Sequence, residues 1–423
     1  MNERLGYLAF LASVAVLAFA VGIAFALLQP PPFGMVKRHI ENVADTVVYW
    51  KNDFGIAPTR YLRPERGARP ANPILQPDKL AEGWRVIAGY VRDRPSPAGA
   101  ILFDEQGNER FFWPIDPQVI RDAIGVTNPR SRNAVLHGFE LMRDGSIAVS
   151  FDVGDIMARL DSCGRVLWGK DDPYHHSISL EDDGTLWVSG LSDDKNGISQ
   201  LDVETGEVLW SQRFFDDAFL GGDHRGIFQI AREVREFNPR WDSGDPMHIN
   251  DVAVLSAEFA GAFPQFNAGD IMVSVRNLNL VVILDAGTKR AKWWQHGPWH
   301  RQHDPDFLPN GHISVFDNNM HGGQSRIIET DPVTRETQVV FEGSDEAPFY
   351  TWVMGKHQRL DNGNILIVEP EAGRAFEVTA AGELVWDYRN AYDEERNLLV
   401  TNAVVLPKDF FDAGVPTCPA PRP

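Results

Sequence analysis

Short apolar runs separated by turns rich in Gly, Asp and Asn fill most of the chain, which is typical of β-structure rather than of amphipathic helices. One pattern recurs: an apolar run ends in an acidic residue, a turn follows, and a second run usually leads to tryptophan, as in Leu160, Asp161, Gly164 and Trp168. The acidic position of this pattern recurs at Asp104, Asp161, Asp202, Asp285, Asp331 and Glu377. Six copies of one hairpin predict six copies of one structural unit.

Successive copies are 41 to 57 residues apart, except for one gap of 83 residues. Most of these separations suit one four-stranded blade of a β-propeller. We therefore predict an all-β fold, a six-bladed β-propeller over residues 83–410, followed by a Pro-rich tail at 411–423. The long gap predicts an insertion at about 211–247 that forms a lid or a binding loop over one face. A surface excursion without a role is the alternative.

An uncharged stretch from Leu5 to Leu28 is long enough to span a bilayer. It predicts one N-terminal transmembrane helix that anchors residues 1–33 in the membrane. Cleavage as a signal peptide near Ala24-Phe25-Ala26 is the competing interpretation.

The segment 34–82 separates this stretch from the first β-run. Helical spacing from Met35 to Trp50 predicts a short linker helix, and a Pro- and Arg-rich linker follows it. A large acidic domain behind a single span is most simply exported. We therefore expect an inner-membrane protein whose propeller lies in the periplasm or outside the cell.

The 59 Asp and Glu residues outnumber the 40 Lys and Arg residues and give a formal net charge of -19. This charge argues against nucleic acid as a partner, and an anionic substrate would need a local basic pocket. The two cysteines, Cys163 and Cys418, are too few for a disulfide framework. One bridge between them and two free thiols are both compatible with the sequence.

A second pattern places a histidine eight residues before a turn glycine, out of phase with the first pattern. Three histidines follow it strictly, and two more open similar strands: His137, His176 and His303, then His248 and His357. Equivalent strands of a propeller line its central channel, and their equivalent ends lie at one height. We therefore expect these five histidines to converge on one axial pocket.

Repetition at one register leaves three interpretations of the histidines: a metal site, a polar ring without chemistry, or a catalytic pocket. A metal site needs help from carboxylates or thiolates; Asp304, Asp306 and Asp317 are the nearby candidates, but no short ligand motif is present. We expect neither a metal nor a cofactor.

Two further residues favour a catalytic pocket. Asn250 follows His248 by two positions, which places both side chains on one face of an extended strand. Arg276 is a lone cation at the end of an apolar run, and a buried arginine needs an anionic partner. Histidines, an amide and a guanidinium together suit a tetrahedral oxyanion such as sulfate or phosphate.

These residues resemble the motifs of the bacterial arylsulfate sulfotransferases, a family of six-bladed propellers. The resemblance covers about residues 101–390 and lies in the order and spacing of the motifs. An earlier histidine of the family is similar to His176, with the adjacent His175 as the alternative. Three stretches are similar to the family's His-Val-Asn, Arg and Gln-His motifs: His248-Ile249-Asn250, Val273-Ser274-Val275-Arg276, and Gln302-His303 before Val315-Phe316-Asp317-Asn318.

The resemblance implies the transfer of a sulfuryl group from a phenolic sulfate ester to a phenol, without the nucleotide donor PAPS. His303 would form a transient sulfohistidine, which gives ping-pong kinetics. Arg276, His248 and Asn250 would hold the sulfuryl oxygens, and His176 would share that role or protonate the departing phenoxide. The remaining histidines of the pocket are expected to bind substrate: His137, His175 and His357.

Two other classes of protein compete with this interpretation. The first is a non-catalytic propeller, tethered to the membrane as a binding or assembly scaffold with a membrane-complex partner. The second is a quinoprotein-type dehydrogenase, against which six blade signals rather than eight speak. Self-association into a homo-oligomer is compatible with either the enzyme or the scaffold.

Overall fold

The computed structural model describes residues 3–28, 51, 56–126, 134–152, 155–192, 195–213, 245, 247–344 and 348–418. The chain divides into two compact units, Met1–Tyr61 and Leu62–Pro423. In the first unit, helix α1 spans Glu3–Leu28. Within the described part of the chain, no helix has the length and apolarity needed to cross a membrane. The transmembrane helix predicted over Leu5–Leu28 therefore lacks support, and the predicted linker helix lies outside the described residues.

The second unit consists of six four-stranded antiparallel sheets and one two-stranded sheet. Blade 1 combines strands from both ends of the unit: β26 (Val400–Leu406), β2 (Trp84–Tyr90), β3 (Ala98–Phe103) and β4 (Glu109–Ile115). Blade 2 contains β5 (Val135–Leu141), β6 (Ile147–Asp152), β7 (Ile156–Leu160) and β8 (Val166–Lys170). Blade 3 contains β9 (His175–Leu180), β10 (Thr185–Ser189), β11 (Gly197–Asp202) and β12 (Val208–Arg213).

The remaining three blades follow the same order along the chain. Blade 4 contains β13 (Ile249–Val254), β14 (Ile271–Val275), β15 (Leu280–Leu284) and β16 (Ala291–His296). Blade 5 contains β17 (His303–Phe307), β18 (Ile313–Asp317), β19 (Arg326–Thr330) and β20 (Thr337–Glu342). Blade 6 contains β21 (Lys356–Arg359), β22 (Ile365–Glu369), β23 (Arg374–Val378) and β24 (Leu384–Arg389). The small sheet pairs β1 (Leu62–Pro64) with β25 (Arg396–Leu398), and two short helices, α2 (Pro117–Ile124) and α3 (Ala257–Ala260), lie between strands.

The innermost strands of the six blades close into a ring around the central channel. Each contacts the next in the order β5, β9, β13, β17, β21 and β26, and β26 contacts β5. Strand β26 pairs with β2, so the two ends of the propeller meet in blade 1. The predicted all-β, six-bladed propeller is confirmed. The strand at 208–213 occupies the start of the predicted insertion, and residues 214–244 lie outside the described residues.

The repeated hairpin is the turn between the third and fourth strands of each blade. In blade 2, the Asp161 carboxylate accepts from the Cys163 and Arg165 amides at 3.0 and 2.8 Å, while Gly164 adopts a φ of +81°. The tryptophan of a blade then donates to the next blade, as Trp113 does to the Gly145 carbonyl at 2.8 Å. The repeat thus both forms a blade and joins it to its neighbour.

The two cysteines form a disulfide that joins the C-terminal tail to blade 2. Cys163 lies in the turn between β7 and β8, and its Cα is 5.5 Å from that of Cys418. The sequence is compatible with either a bridge or two free thiols, and the structure has the bridge.

Candidate active site

Irregularities at the start of the innermost strands aim side chains into the channel. The pairing of β5, β9, β13 and β17 with the next strand is shifted by a bulge in each blade. His176, His248 and Asp304 adopt positive φ values of 63°, 52° and 51°. A bulge bends its strand, and non-glycine residues in left-handed conformations cluster at functional sites. The alternation that would align Asn250 with His248 does not apply, because His248 precedes β13 in a left-handed conformation.

Five imidazoles meet at this end of the channel, and we call them the imidazole layer. His176 lies at its centre, with ring centroids 3.9 Å from His137, 4.6 Å from His175, 4.7 Å from His248 and 6.3 Å from His303. Because four different blades contribute, the layer exists only in the closed ring. The structure thus brings together the predicted site residues His137, His175, His176, His248 and His303.

The imidazole of His303 is fixed in one tautomer by its neighbours. The Asn318 amide donates to the carbonyls of Thr351 at 2.9 Å and Met354 at 2.6 Å, so its oxygen must accept. The His303 Nδ1 lies 2.6 Å from that oxygen and therefore carries the proton. The buried Nε2 retains its lone pair and has no hydrogen-bond partner among the described residues.

Arg276 and Asn250 both lie near His303, since the Arg276 guanidinium lowers the pKa of His303 and Asn250 contacts the preceding residue. The Asn250 amide donates to the Gln302 carbonyl at 2.7 Å, which ties β13 to the residue before His303. The Asn250 Oδ1 and the Arg276 Nε are buried without a hydrogen-bond partner in the described part of the chain. Such atoms are costly unless a ligand supplies the missing contacts. The Arg276 Nε suits an anionic oxygen of a ligand, whereas the Asn250 Oδ1 accepts and suits a hydroxyl or N–H donor.

Arg301 is a second cation of the site, which the sequence analysis missed. Its amide donates to the Asn279 Oδ1 at 2.9 Å, and its guanidinium donates to Asn277. Burial and the nearby positive charge of Arg301 lower the pKa of Arg276 to about 10, so both groups stay charged at neutral pH. Arg301 could have been predicted from the sequence, because it directly precedes the Gln302-His303 motif.

Asp245 is a further polar partner that the sequence analysis missed. Its carboxylate lies 2.5 Å from the His248 Nδ1, and the His248 Nε2 lies 3.1 Å from the His176 Nε2. A proton must lie between the last two nitrogens, so the pair shares it. Burial raises the pKa of Asp245, but the hydrogen bond and charge of His248 outweigh it and lower that pKa overall. The one sign of this contact in the sequence is that Asp245 lies three residues before His248, but the position falls within the predicted insertion.

Burial keeps most imidazoles of the layer uncharged. It lowers the pKa of His137 to about 3 and that of His175 to about 4. Burial, together with neighbouring imidazoles for His176 and the Arg276 guanidinium for His303, holds both of those pKa values well below the usual range. A neutral imidazole is a nucleophile or a hydrogen-bond donor rather than a cation. Arg276 and Arg301 provide fixed positive charge at the site.

His357 is not in the imidazole layer, so the prediction of its convergence is wrong. Its Nδ1 donates to the Asp304 Oδ2 at 3.0 Å, and its Nε2 lies 2.8 Å from the Ser314 hydroxyl. The pairing of β21 with β22 is regular, whereas the other four strands carry bulges. His357 therefore stays in a straight strand, with both nitrogens engaged by the protein and none free for substrate.

Carboxyl groups occupy the channel beyond the imidazole layer, and we call them the acidic layer. Its members come from four innermost strands or the turns after them: Glu140, Glu181, Asp251, Asp304 and Asp306. Burial raises the pKa of Glu140 to about 8 and that of Glu181 to about 7. The Lys356 ammonium neutralises Asp304 at 2.6 Å and Asp251 at 3.1 Å.

One group of described side chains could hold a metal ion. Ligand atoms of Asp304, Asp306 and His357 lie within 4.8 Å of one another. Both oxygens of Asp304 already have protein partners, since Lys356 occupies Oδ1 and His357 occupies Oδ2. A cation would have to displace the Lys356 ammonium. Asp317, the third acidic candidate, instead pairs with Arg326 at 2.5 Å.

Comparison with known proteins identifies one family. The profile described as Arylsulfotransferase (ASST) matches residues 138–391, which include every side chain of the imidazole layer except His137. No curated protein matches the sequence. Among solved structures, the chain is similar to a protein of unknown function from Bacteroides caccae, with 12% identity over 76% of this chain and 98% of that one and a TM-score of 0.47. It is also similar to virginiamycin B lyase from Staphylococcus aureus, with 10% identity over 60% and 69% of the two chains and a TM-score of 0.36.

Proposed function

The chain belongs to the arylsulfotransferase family, and on that premise we propose that it moves a sulfuryl group from a phenolic sulfate ester to a phenol through a sulfohistidine. The observation that carries the proposal is the His303 Nε2. It is buried, keeps its lone pair because Asn318 fixes the proton on Nδ1, and has no partner among the described residues. A scaffold has no need for such an atom, which costs stability until a ligand meets it.

In the first displacement, the His303 Nε2 attacks sulfur and an N–S bond forms. The S–O bond to the donor phenol breaks, and the phenoxide leaves with the electron pair. The His176–His248 pair begins this step with one additional proton, held as an imidazolium beside the Asp245 carboxylate, and passes that proton to the phenoxide through His176. The enzyme then carries one sulfuryl group and has given up one proton.

The second displacement reverses the first with a new phenol. The phenol oxygen attacks sulfur while its proton passes to the His176–His248 pair. The N–S bond breaks, and its electron pair returns to the His303 Nε2. Arg276, Arg301 and Asn250 line the pocket and stabilise charge on the sulfuryl oxygens in both steps, so catalysis rests on positioning and electrostatics.

A chromogenic assay tests this function. The protein is incubated with 4-nitrophenyl sulfate, with and without added phenol, and nitrophenol release is followed. We expect release that depends on phenol, and loss of it in His303→Ala. His312→Ala is the matched control, because His312 lies at the opposite end of the β17–β18 hairpin. Absence of turnover by the wild type, or full turnover by His303→Ala, would contradict the proposal.

We further propose that the propeller functions in an oxidising compartment, in the periplasm or outside the cell. The disulfide between Cys163 and Cys418 supports this, because such bonds persist mainly in exported proteins. Cell fractions treated with a thiol-alkylating reagent test it. We expect alkylation of both cysteines only after reduction, and labelling without reductant in native cells would count against export.

A further inference from the structure

One ammonium group bridges two carboxylates from two other blades. The Lys356 Nζ of blade 6 lies 2.6 Å from the Asp304 Oδ1 of blade 5 and 3.1 Å from the Asp251 Oδ1 of blade 4. Each carboxylate directly follows a residue of the proposed site, since Asp251 follows Asn250 and Asp304 follows His303. Lys356 therefore ties the strand of the oxyanion donor to the strand of the nucleophile.

His303 is held on both sides by this arrangement. On one side, the Asn250 amide donates to the carbonyl of the preceding residue, Gln302, at 2.7 Å. On the other side, the carboxylate of the following residue, Asp304, accepts from Lys356. Strand β13 therefore reaches β17 twice, once directly and once through Lys356. The imidazole lies between the two ties.

The backbone at Asp304 shows why the second tie matters. Asp304 has a left-handed φ of +51°, and the β17–β18 pairing shifts between His303 and Asp306. Its Oδ2 accepts from the His357 amide at 2.6 Å and the His357 Nδ1 at 3.0 Å, so blade 6 holds both oxygens. These contacts fix the bulge that points His303 into the imidazole layer.

The charge of Lys356 is necessary for this geometry. Without it, Asp251 and Asp304 would face each other as two carboxylates in the same buried part of the channel, and either one would take up a proton or the strands would move apart. Either change removes the bridge between the two strands. Burial lowers the pKa of Lys356, but Asp251 and Asp304 together raise it above its ordinary value. The ammonium is therefore charged throughout the physiological pH range.

We infer that Lys356 is a positioning residue, which sets the relative placement of Asn250 and His303 through Asp251 and Asp304. The inference rests on the proposed sulfuryl transfer. A displacement of about 1 Å between reacting groups lowers turnover about 100-fold. Lys356 touches no reacting atom in this account, so its removal is expected to lower kcat while leaving KM for the aryl sulfate nearly unchanged.

Two variants test this role. Lys356→Met removes the bridge, and Asp251→Asn weakens only its arm to blade 4. Kinetics are measured with 4-nitrophenyl sulfate and phenol well below the melting temperature, with kcat normalised to folded protein. Lys408→Met is the matched control, because Lys408 also bridges two carboxylates, Glu82 and Glu105, but on the surface. We expect kcat to fall about 100-fold in Lys356→Met and about tenfold in Asp251→Asn, and to be retained in the control.

The possible outcomes separate the inference from the proposed function. A purely structural role would lower the folded fraction and the melting temperature without changing kcat per folded molecule, and this result would overturn the inference. If Lys356→Met does not fold, a wild-type kcat in Asp251→Asn overturns it equally. Absence of aryl sulfate turnover by the wild type would instead remove the proposed function on which the inference rests.

Discussion

The two layers of the central channel treat buried polar groups in opposite ways. In the imidazole layer, the His303 Nε2, the His137 Nδ1 and the His175 Nε2 are buried without hydrogen-bond partners among the described residues. In the acidic layer, Lys356 and His357 satisfy both oxygens of Asp304. Unsatisfied polar atoms cost free energy, and satisfied ones stabilise the fold. The imidazole layer therefore has polar atoms left for a ligand, whereas the contacts of the acidic layer hold the strands in place.

Replacement of His303 in the imidazole layer and of His357 beside the acidic layer gives the largest expected contrast. His303→Ala is expected to lower aryl sulfate turnover at least about 10⁴-fold, because the nucleophile is gone. His357→Ala is expected to destabilise the protein by about 1–3 kcal/mol, because Asp304 and Ser314 lose a partner, with a smaller loss of turnover. Turnover assays and thermal melting check the pair. Equal effects of the two variants on both measurements would erase the distinction between the layers.

A positive charge at the position of Arg276, beside the imidazole layer, is expected to be insufficient for turnover unless it has the planar shape of a guanidinium. Arg276→Lys keeps the charge but loses the planar fork that contacts two oxygens. We expect kcat to fall about 10²–10³-fold, as for loss of one oxyanion donor. Arg359→Lys is the control, because Arg359 pairs with Glu329 at 3.1 Å outside the imidazole layer. Wild-type rates in Arg276→Lys would count against its role as an oxyanion clamp.

The layers are also expected to impose opposite pH dependences on stability. The pKa values of His137 and His175, about 3 and about 4, lie below those of the unfolded chain. Their contribution is therefore full above about pH 6.5 and is lost as pH falls, by at most about 1.4 kcal/mol per histidine per pH unit. The pKa values of Glu140 and Glu181, about 8 and about 7, are raised. Their contribution is full below about pH 4.3 and is lost as the pH rises from there to these values.

Melting temperatures measured from pH 4 to pH 9 check this dependence. We expect a smaller loss of stability on acidification below about pH 6.5 in His137→Gln, and a smaller loss as the pH rises above about 4.3 in Glu140→Gln. Each substitution removes one titrating group while keeping a polar side chain. An unchanged pH profile in both variants would show that neither layer controls the response to protons.

A smaller effect is expected from simple oxyanions. Sulfate should raise the melting temperature by mass action, because it binds the folded pocket and supplies the acceptor that the Arg276 Nε lacks. Chloride at equal ionic strength is the control for salt. If sulfate binds beside the imidazole layer and the acidic layer only holds the strands, the increase should be smaller in Arg276→Lys and unchanged in Lys356→Met. Equal stabilisation by chloride would contradict a specific site.

The sequence predicted those features that depend on local chemistry. The turn at Asp161 and Gly164 forms from residues within one hairpin, so the number of its repeats in the sequence predicts the number of blades. The register of His137, His176 and His303 followed from a second repeated pattern, and His248 opens a similar strand. His357 shares the register but lies in another layer, because its strand lacks the bulge that the others have. A bulge depends on tertiary packing and leaves no local pattern.

Pairs between distant segments lay beyond the reach of a single sequence. Lys356 meets Asp251 across 105 residues and Asp304 across 52. The disulfide joins cysteines 255 residues apart, and only the path of the tail past blade 2 brings them together. Such contacts follow from closure of the ring. Closure itself depends on the pairing of β26 with β2.

The central claim is that the free nitrogen of His303 accepts the sulfuryl group, and trapping that intermediate tests it most directly. The protein is mixed with 4-nitrophenyl sulfate in the absence of phenol, quenched under mildly alkaline conditions and digested, and the peptides are analysed by mass spectrometry. We expect an adduct of about 80 Da, the mass of SO3, on the peptide that contains His303, and we expect it to disappear when phenol is added. An adduct on another residue, or turnover without any adduct, would contradict it.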